Sequence, residues 1–314
     1  MHGSAGLFAF FLLPVIFENC NPTQFSTATP SPGSADLSTT TTTEPNTQGT
    51  GNLTTGTPVP TPFPTAPTVK ATGSFYASDA VGQLYVFDVD TLRLQQVLTT
   101  TYNGQVVVFN GLSFDGAGTL YGITVTDRVL TINPQTGACQ LVIPNLSAGL
   151  TGSVGSMIPI LGFSILPNGR YLSGTGDSVI SVDPSNLSYT TLVPASAGYN
   201  SHLSATMDGG DLRYLPNGRI YWIVANASSR ICRTYGGPGN QTLVEIDPVS
   251  GVVTEIGCLT DPDILGFGFS HGTLYGFTYE GDFIQINPAT AQTKLITNVG
   301  ASFLSATGNP AFWQ

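Results

Sequence analysis

The stretch LYGITVTDRVLTINPQTG, residues 120–137, holds a pattern that the rest of the chain repeats. Leu120–Val125 and Val129–Ile132 are short runs rich in β-branched and apolar residues, which is the signature of strands. Asn133-Pro134-Gln135-Thr136-Gly137 then closes the pair by turn chemistry. The Asn side chain accepts from the backbone two residues on, Pro fixes φ, and Gly takes the positive-φ position. Outward from this pair, Gln140–Ile143 and Leu161–Leu166 read as two more strands of the same unit. Tyr121 stands twelve residues before Asn133, as Tyr171 does before Asp183 and Tyr275 before Asn287. The first unit is looser, with Tyr76 fourteen residues before Asp90 and no Pro. The fourth carries an insertion, because Tyr221 stands 26 residues before Asp247.

The Asp/Asn marks at 90, 133, 183, 247 and 287 are 43, 50, 64 and 40 residues apart. Four strands in about 40–50 residues is the period of a propeller blade, and a lone blade exposes apolar surface on both faces until neighbours cover it. No segment of the repeat region has a 3.6-residue period. The expectation is an all-β fold over residues 72–314: a five-bladed β-propeller of four-stranded blades, with the Leu-Tyr strand innermost in each blade. Ala311-Phe312-Trp313 is the candidate for an extra innermost strand that seals the ring. Tyr76, Tyr121, Tyr171, Tyr221 and Tyr275 are expected to pack between blades.

Leu120-Tyr121-Gly122, Ile132-Asn133-Pro134-Gln135-Thr136-Gly137, Ile246-Asp247-Pro248-Val249-Ser250-Gly251 and Leu274-Tyr275-Gly276 resemble the units of secreted β-propeller families. Those families are built on repeated LYG…IDPxTG units and occur in microbial and fungal exoproteins. The resemblance spans about residues 72–314 and implies an extracellular propeller; it brings no catalytic set.

Ahead of the repeats lie an address and a stalk. Leu7–Phe17 is an apolar run too short for a membrane span, which needs about 20 residues, and it fits a secretory signal over residues 1–20. Its flank lacks Lys and Arg, and Glu18-Asn19 before Cys20 are poor residues for a bacterial lipidation site. In residues 21–70, sixteen Thr, four Ser and nine Pro leave almost no apolar surface to offset ordering entropy. Residues 21–71 therefore read as a disordered linker, or as a glycosylated stalk that holds the head away from a cell surface. Sequons at Asn52, Asn145, Asn186, Asn226 and Asn240 point to a secreted glycoprotein.

Charge narrows the partners. Nine Lys+Arg against 19 Asp+Glu give a net charge of −10 in 314 residues, with no basic cluster, so nucleic acid is excluded as a partner. The chain holds no H-E-x-x-H and no phosphate-cradling loop. Of the three histidines, His2 belongs to the export signal, His271 replaces a turn Asn, and only His202 stands outside both the signal and the repeat pattern.

Strands that reverse at every turn sort loops onto two faces. With the Leu-Tyr strand counted as the first, Cys232 lies in the fourth unit's 1–2 insertion and Cys258 opens its 3–4 loop. A Cys232–Cys258 disulfide is the expectation, with Cys139 an unpaired, partly buried thiol. The same face collects the long connections and the aromatic and polar groups Tyr102, Tyr199, His202, Arg233 and Tyr235, which are the candidate binding residues. Asp127, Asp177 and Asp282 fall in 1–2 loops, expected near the axis, where converging carboxylates would suit calcium. Function is read as a stalked, monomeric, extracellular module that recognises glycan or protein. The alternative is an extracellular hydrolase or lyase with carboxylates at an axial pocket, with or without calcium.

Overall fold

The computed structural model describes residues 71–149, 161–175, 177–199, 210–225, 229, 231–232, 241–261 and 263–313. The signal, Cys20, nearly all of the stalk, Asn52, His202, Asn226, Arg233, Tyr235 and Asn240 lie outside the described residues. The rest forms five four-stranded antiparallel sheets in a ring. The first blade joins β1 (Phe75–Asp79), β2 (Gln83–Asp88) and β3 (Arg93–Thr99) to β22 (Phe303–Gly308) from the far end of the chain. The short hairpin of β4 (Thr101–Tyr102) and β5 (Gln105–Val106) follows. The second blade is β6 (Phe109–Phe114), β7 (Leu120–Thr124), β8 (Val129–Ile132) and β9 (Cys139–Ile143). The third is β10 (Leu161–Ile165), β11 (Tyr171–Gly174), β12 (Val179–Val182) and β13 (Tyr189–Val193). The fourth is β14 (Leu212–Tyr214), β15 (Ile220–Ala225), β16 (Gln241–Ile246) and β17 (Val253–Cys258), and the fifth β18 (Ile264–Ser270), β19 (Thr273–Thr278), β20 (Asp282–Ile286) and β21 (Thr293–Asn298).

This order corrects the phase of the repeat. The Leu-Tyr strand is second in each blade, and Leu161–Ile165 pairs with β11 of the next blade rather than with β9. The ring is sealed by Phe303–Gly308, which pairs antiparallel with Phe75–Asp79. Ala311 and Phe312 instead belong to a short 3-10 turn at Pro310–Phe312. A one-strand shift keeps the parity of every reversal, so each loop stays on its assigned face. It does move each loop outward by one strand.

The Asx turns behave as their composition dictates. Asn133 Oδ1 accepts from the N–H groups of Gln135 and Thr136, and Asp247 Oδ1 from those of Val249 and Ser250. In the first blade that role falls to Asp88, not Asp90: Asp88 Oδ1 accepts from the N–H groups of Asp90 and Thr91. Asp88 is twelve residues after Tyr76, so the first unit has the same spacing as the others. The backbone N–H groups of Ser250 and Val249, then Arg219, hold the Asp247 carboxyl down to about 2. An unfolded Asp titrates near about 3.9, so this charge stabilises the fold above about pH 4, and the gain is lost as pH falls toward 2. Asp247→Asn keeps the turn acceptor and loses the charge. Its melting temperature should fall below wild type at neutral pH and converge with it by about pH 2.

Core clusters lie between all five pairs of neighbouring blades. Tyr76, Leu84 and Val86 of the first blade meet Phe109, Leu112 and Leu130 of the second. Phe75 and Ala77, one residue to either side of Tyr76, face the fifth blade instead, as the two-residue period of a strand requires. Because both faces of each sheet are covered, β8 and β12 are buried along their whole length. The closing seam is the most aromatic: Phe277 stacks on Phe283 at 4.7 Å and meets Phe303 at 4.3 Å. Inner strands approach so closely there that a Cβ on Gly308 would collide with the Phe269 carbonyl. Outermost strands are edges, and four of the five carry a bulge at an aliphatic residue: Val142, Leu192, Ile256 and Ile296. Each extra residue turns partly into the core and disrupts the flat edge that another chain would pair with.

Candidate recognition surface

The two faces of the ring differ. On one, turns such as 115–119, 166–170 and 215–219 join first to second strands, and 133–138 and 247–252 join third to fourth. On the other lies the blade-to-blade connection 100–108, and the strands that flank the connections after Ile143 and Val193, and the fourth blade's second-to-third-strand insertion after Ala225, end there. That long-loop face carries a cleft of about 450 Å³ between the β4–β5 hairpin and the β7–β8 turn. The size falls in the range of ligand pockets. Tyr102, Val106, Val107, Val125 and Leu130 supply its apolar wall, and Arg128 stands at the rim. Tyr102 is half-buried, packed against the cluster between the first two blades. Val106 and Val125 are each 56% exposed, and Val81, on the adjacent β1–β2 turn, is 67% exposed. The hairpin is pinned by the Thr100 hydroxyl, whose one proton is shared between the Gly82 and Val107 carbonyls, and by Thr101 N–H on Gly137 O at 3.0 Å. A second hollow, of about 420 Å³, lies on the tight-turn face against the fifth blade alone, with polar walls that include Gln285 and Lys294.

The fourth blade's insertion is stapled on the same side. Cys232 and Cys258 form a disulfide with Cα atoms 5.7 Å apart. Glu255 adds a polar clamp: its Oε2 accepts from Ser229 Oγ at 2.8 Å and Ile231 N–H at 3.0 Å, and its Oε1 from the Tyr199 hydroxyl at 3.2 Å. Tyr199 is 7% exposed, in the cluster between the third and fourth blades, so it presents no ring face to a ligand. Cys139 is free and buried, and burial pushes its thiol up to about 12.

The axis holds a group that the repeat pattern had signalled only by breaking. Inner strands read Gly111-Leu112-Ser113, Gly162-Phe163-Ser164 and Gly266-Phe267-Gly268, but the fourth reads Asp211-Leu212-Arg213. The Arg213 guanidinium fills the axis. Its Nη2 pairs with Asp211 Oδ2 at 2.5 Å, its Nη1 donates to Phe163 O at 2.5 Å, and its Nε to Phe267 O at 2.9 Å and Ala306 O at 3.0 Å. Four blades thus share one cation. Burial pushes the Asp211 carboxyl up, while Arg213 and the N–H groups of Phe267 and Leu212 hold it back. On the tight-turn side the remaining axial cavity is about 10 Å³, bounded by Trp313, which is room for about one water.

The acids assigned to the axis are elsewhere. Asp127 and Asp177 sit in second-to-third-strand turns, and Asp282 opens the third strand of the fifth blade, each one strand outward of the expected place. Asp127 has a positive φ of 59° and a buried Oδ1, Asp177 accepts from Ser178 Oγ, and Asp282 Oδ1 accepts from Asn298 Nδ2 at 2.7 Å. Among the described residues no three His, Cys, Asp or Glu side chains are grouped to hold a metal ion. The inner strands hold no acid, and Asp211 directly precedes the fourth of them. Of the two candidate binding residues that are described, Tyr102 lines a cleft and Tyr199 does not. Arg128, Val106 and Val125 escaped the sequence reading because Thr124-Val125-Thr126 looks like a continuing strand. Asn145 is exposed on the long-loop face and Asn186 on the tight-turn face.

Strand order alone fixes the architecture. It is a five-bladed propeller. No family model matches the chain, and no curated protein matches it. Similar solved structures include the nidogen/laminin complex, at 12% identity over 75% of this chain and 82% of that one, with a TM-score of 0.48. A Bacteroides caccae protein of unknown function is 11% identical over 75% of this chain and 98% of its own, at 0.44. A gluconolactonase from Xanthomonas campestris is 15% identical over 74% and 76%, at 0.38. Likeness at this level transfers neither ligand nor activity, since one fold hosts many chemistries.

Proposed function

We propose that this protein is a secreted, stalked β-propeller of the LYG…IDPxTG kind that recognises an extracellular glycan or protein through its long-loop face. The observation that carries the reading is the cleft beside Tyr102: the one face that collects the long connections also offers a ligand-sized hollow with exposed apolar walls. The Cys232–Cys258 bridge suits an oxidising compartment and fixes the longest insertion on that face. Residues 1–20 then act as the export signal, and residues 21–71 as the Thr/Pro stalk of a monomeric head. The proposal extends to His202, Arg233 and Tyr235, which fall in chain segments whose flanking strands end on the same face.

The test is an array of glycans and extracellular proteins probed with the wild-type chain and with Tyr102→Ala. Retained wild-type binding that Tyr102→Ala weakens by about tenfold supports the reading, a size typical of an interface anchor. Binding that survives unchanged, or a wild-type chain silent across both arrays, overturns it.

A further inference from the structure

We propose that the cleft takes an apolar side chain of a protein partner, flanked by a carboxylate that pairs with Arg128. The inference rests on the long-loop face being the recognition face, and goes beyond it by choosing protein over glycan and by stating the partner's chemistry.

Two neighbouring turns and a two-residue hairpin strand place valine where exposed positions are ordinarily polar. Val81 lies on the β1–β2 turn, Val106 on the β4–β5 hairpin and Val125 on the β7–β8 turn, and all three are mostly exposed. They are adjacent: Thr100 N–H donates to Gly82 O, Gly82 lies against Val106, and Val106 and Val125 line one cleft. Contiguous exposed apolar surface marks an interaction site, and aromatic or aliphatic anchors in such hollows dominate protein interfaces. Asn103, Gln105, Thr124 and Thr126 also line the cleft, but against the methyls of Val106, Val107, Val125 and Leu130 a sugar hydroxyl would neither donate nor accept, and burial of unpaired hydroxyls is unfavourable. The methyl walls favour a hydrocarbon side chain.

Arg128 supplies the charge preference. Arg170, Arg213 and Arg219 are each held in ion pairs, whereas Arg128, like Arg93 on another blade, has none among the described residues and is exposed where it lines the cleft. Asp127, its neighbour in the chain, has its Oδ1 buried without a hydrogen-bond partner, so that oxygen does not bond the guanidinium. An unpaired guanidinium beside an apolar hollow selects a carboxylate next to an apolar group, with the fork geometry that Arg offers carboxylates.

Short random peptides displayed on phage, panned against the full chain and against Val125→Asp and Arg128→Glu, provide the test. Both substitutions are at exposed positions, and matched melting temperatures confirm intact folds. Enriched peptides should pair Leu, Ile, Phe or Trp with a nearby Asp or Glu. Val125→Asp should weaken them by about tenfold or more, and Arg128→Glu should switch the selected charge to Lys or Arg. Peptides that ignore both substitutions, or a failure to enrich any, overturn the inference. A glycan array run alongside separates the two levels. Sugar binding lost in Val125→Asp, with no peptide selected, sinks the peptide proposal and leaves the recognition face standing. Silence in both sinks both.

Discussion

Arg213→Met is expected to lower stability by about 3–5 kcal/mol, the range for breaking a buried ion pair from one side. The substituted side chain fills much of the volume but supplies no donor. Asp211, 0% exposed, would be left as an unpaired buried carboxylate, and the carbonyls of Phe163, Phe267 and Ala306 would lose their shared partner. For a domain of this size that corresponds to a drop of roughly 6–20 °C in melting temperature. Arg213→Lys should recover little, because an ammonium is a point charge with three donors and cannot span four strands. The double variant Asp211→Gly, Arg213→Ser gives this strand the Gly-x-Ser pattern of the second and third blades and removes both charges together. It should regain more than half of the loss. Denaturant titration of the four proteins is the measurement; an Arg213→Met midpoint matching wild type would show that the guanidinium is not what holds the inner strands.

Loss of the Cys232–Cys258 bridge is the second large effect. It closes a loop of 26 residues, and the chain-entropy model assigns such a loop about 3.5 kcal/mol. Cys258→Ser removes the bridge and loosens the Glu255 clamp on Ser229 and Ile231 beside it. Wild type in reductant should unfold at the same denaturant concentration as Cys258→Ser, and both well below the oxidised protein. A midpoint unmoved by reductant would refute the assignment. Because Cys139 is buried with a thiol held at about 12, it should not exchange into the bridge in the folded state.

Legibility followed locality. The Asn133 and Asp247 turns are set within five residues by side-chain acceptors, a fixed φ and a terminal Gly, so they could be recognised from the chain alone. The disulfide was equally legible, since it needs only the parity of reversals between Cys232 and Cys258. Asp88 was passed over for Asp90 because both begin an Asp-x-x stretch and only the hydrogen bonds distinguish them. Its place in a loop makes Tyr199 look like a ligand platform, yet its ring is buried against the third and fourth blades. The cleft at Tyr102 joins a connection after the first blade to a turn within the second, and no spacing in the sequence brings these together.

By itself the sequence determined a period, a count of five and the face on which each loop emerges, because alternation and turn chemistry act between near neighbours. Only the tertiary structure decided which strand lines the axis. That choice depends on Phe303–Gly308 pairing with Phe75–Asp79 across more than two hundred residues, and it is stabilised by the aromatic seam and by one arginine bonded to four inner strands. Contacts of that range leave no periodic trace, since each is made once and is favourable only when the ring has closed.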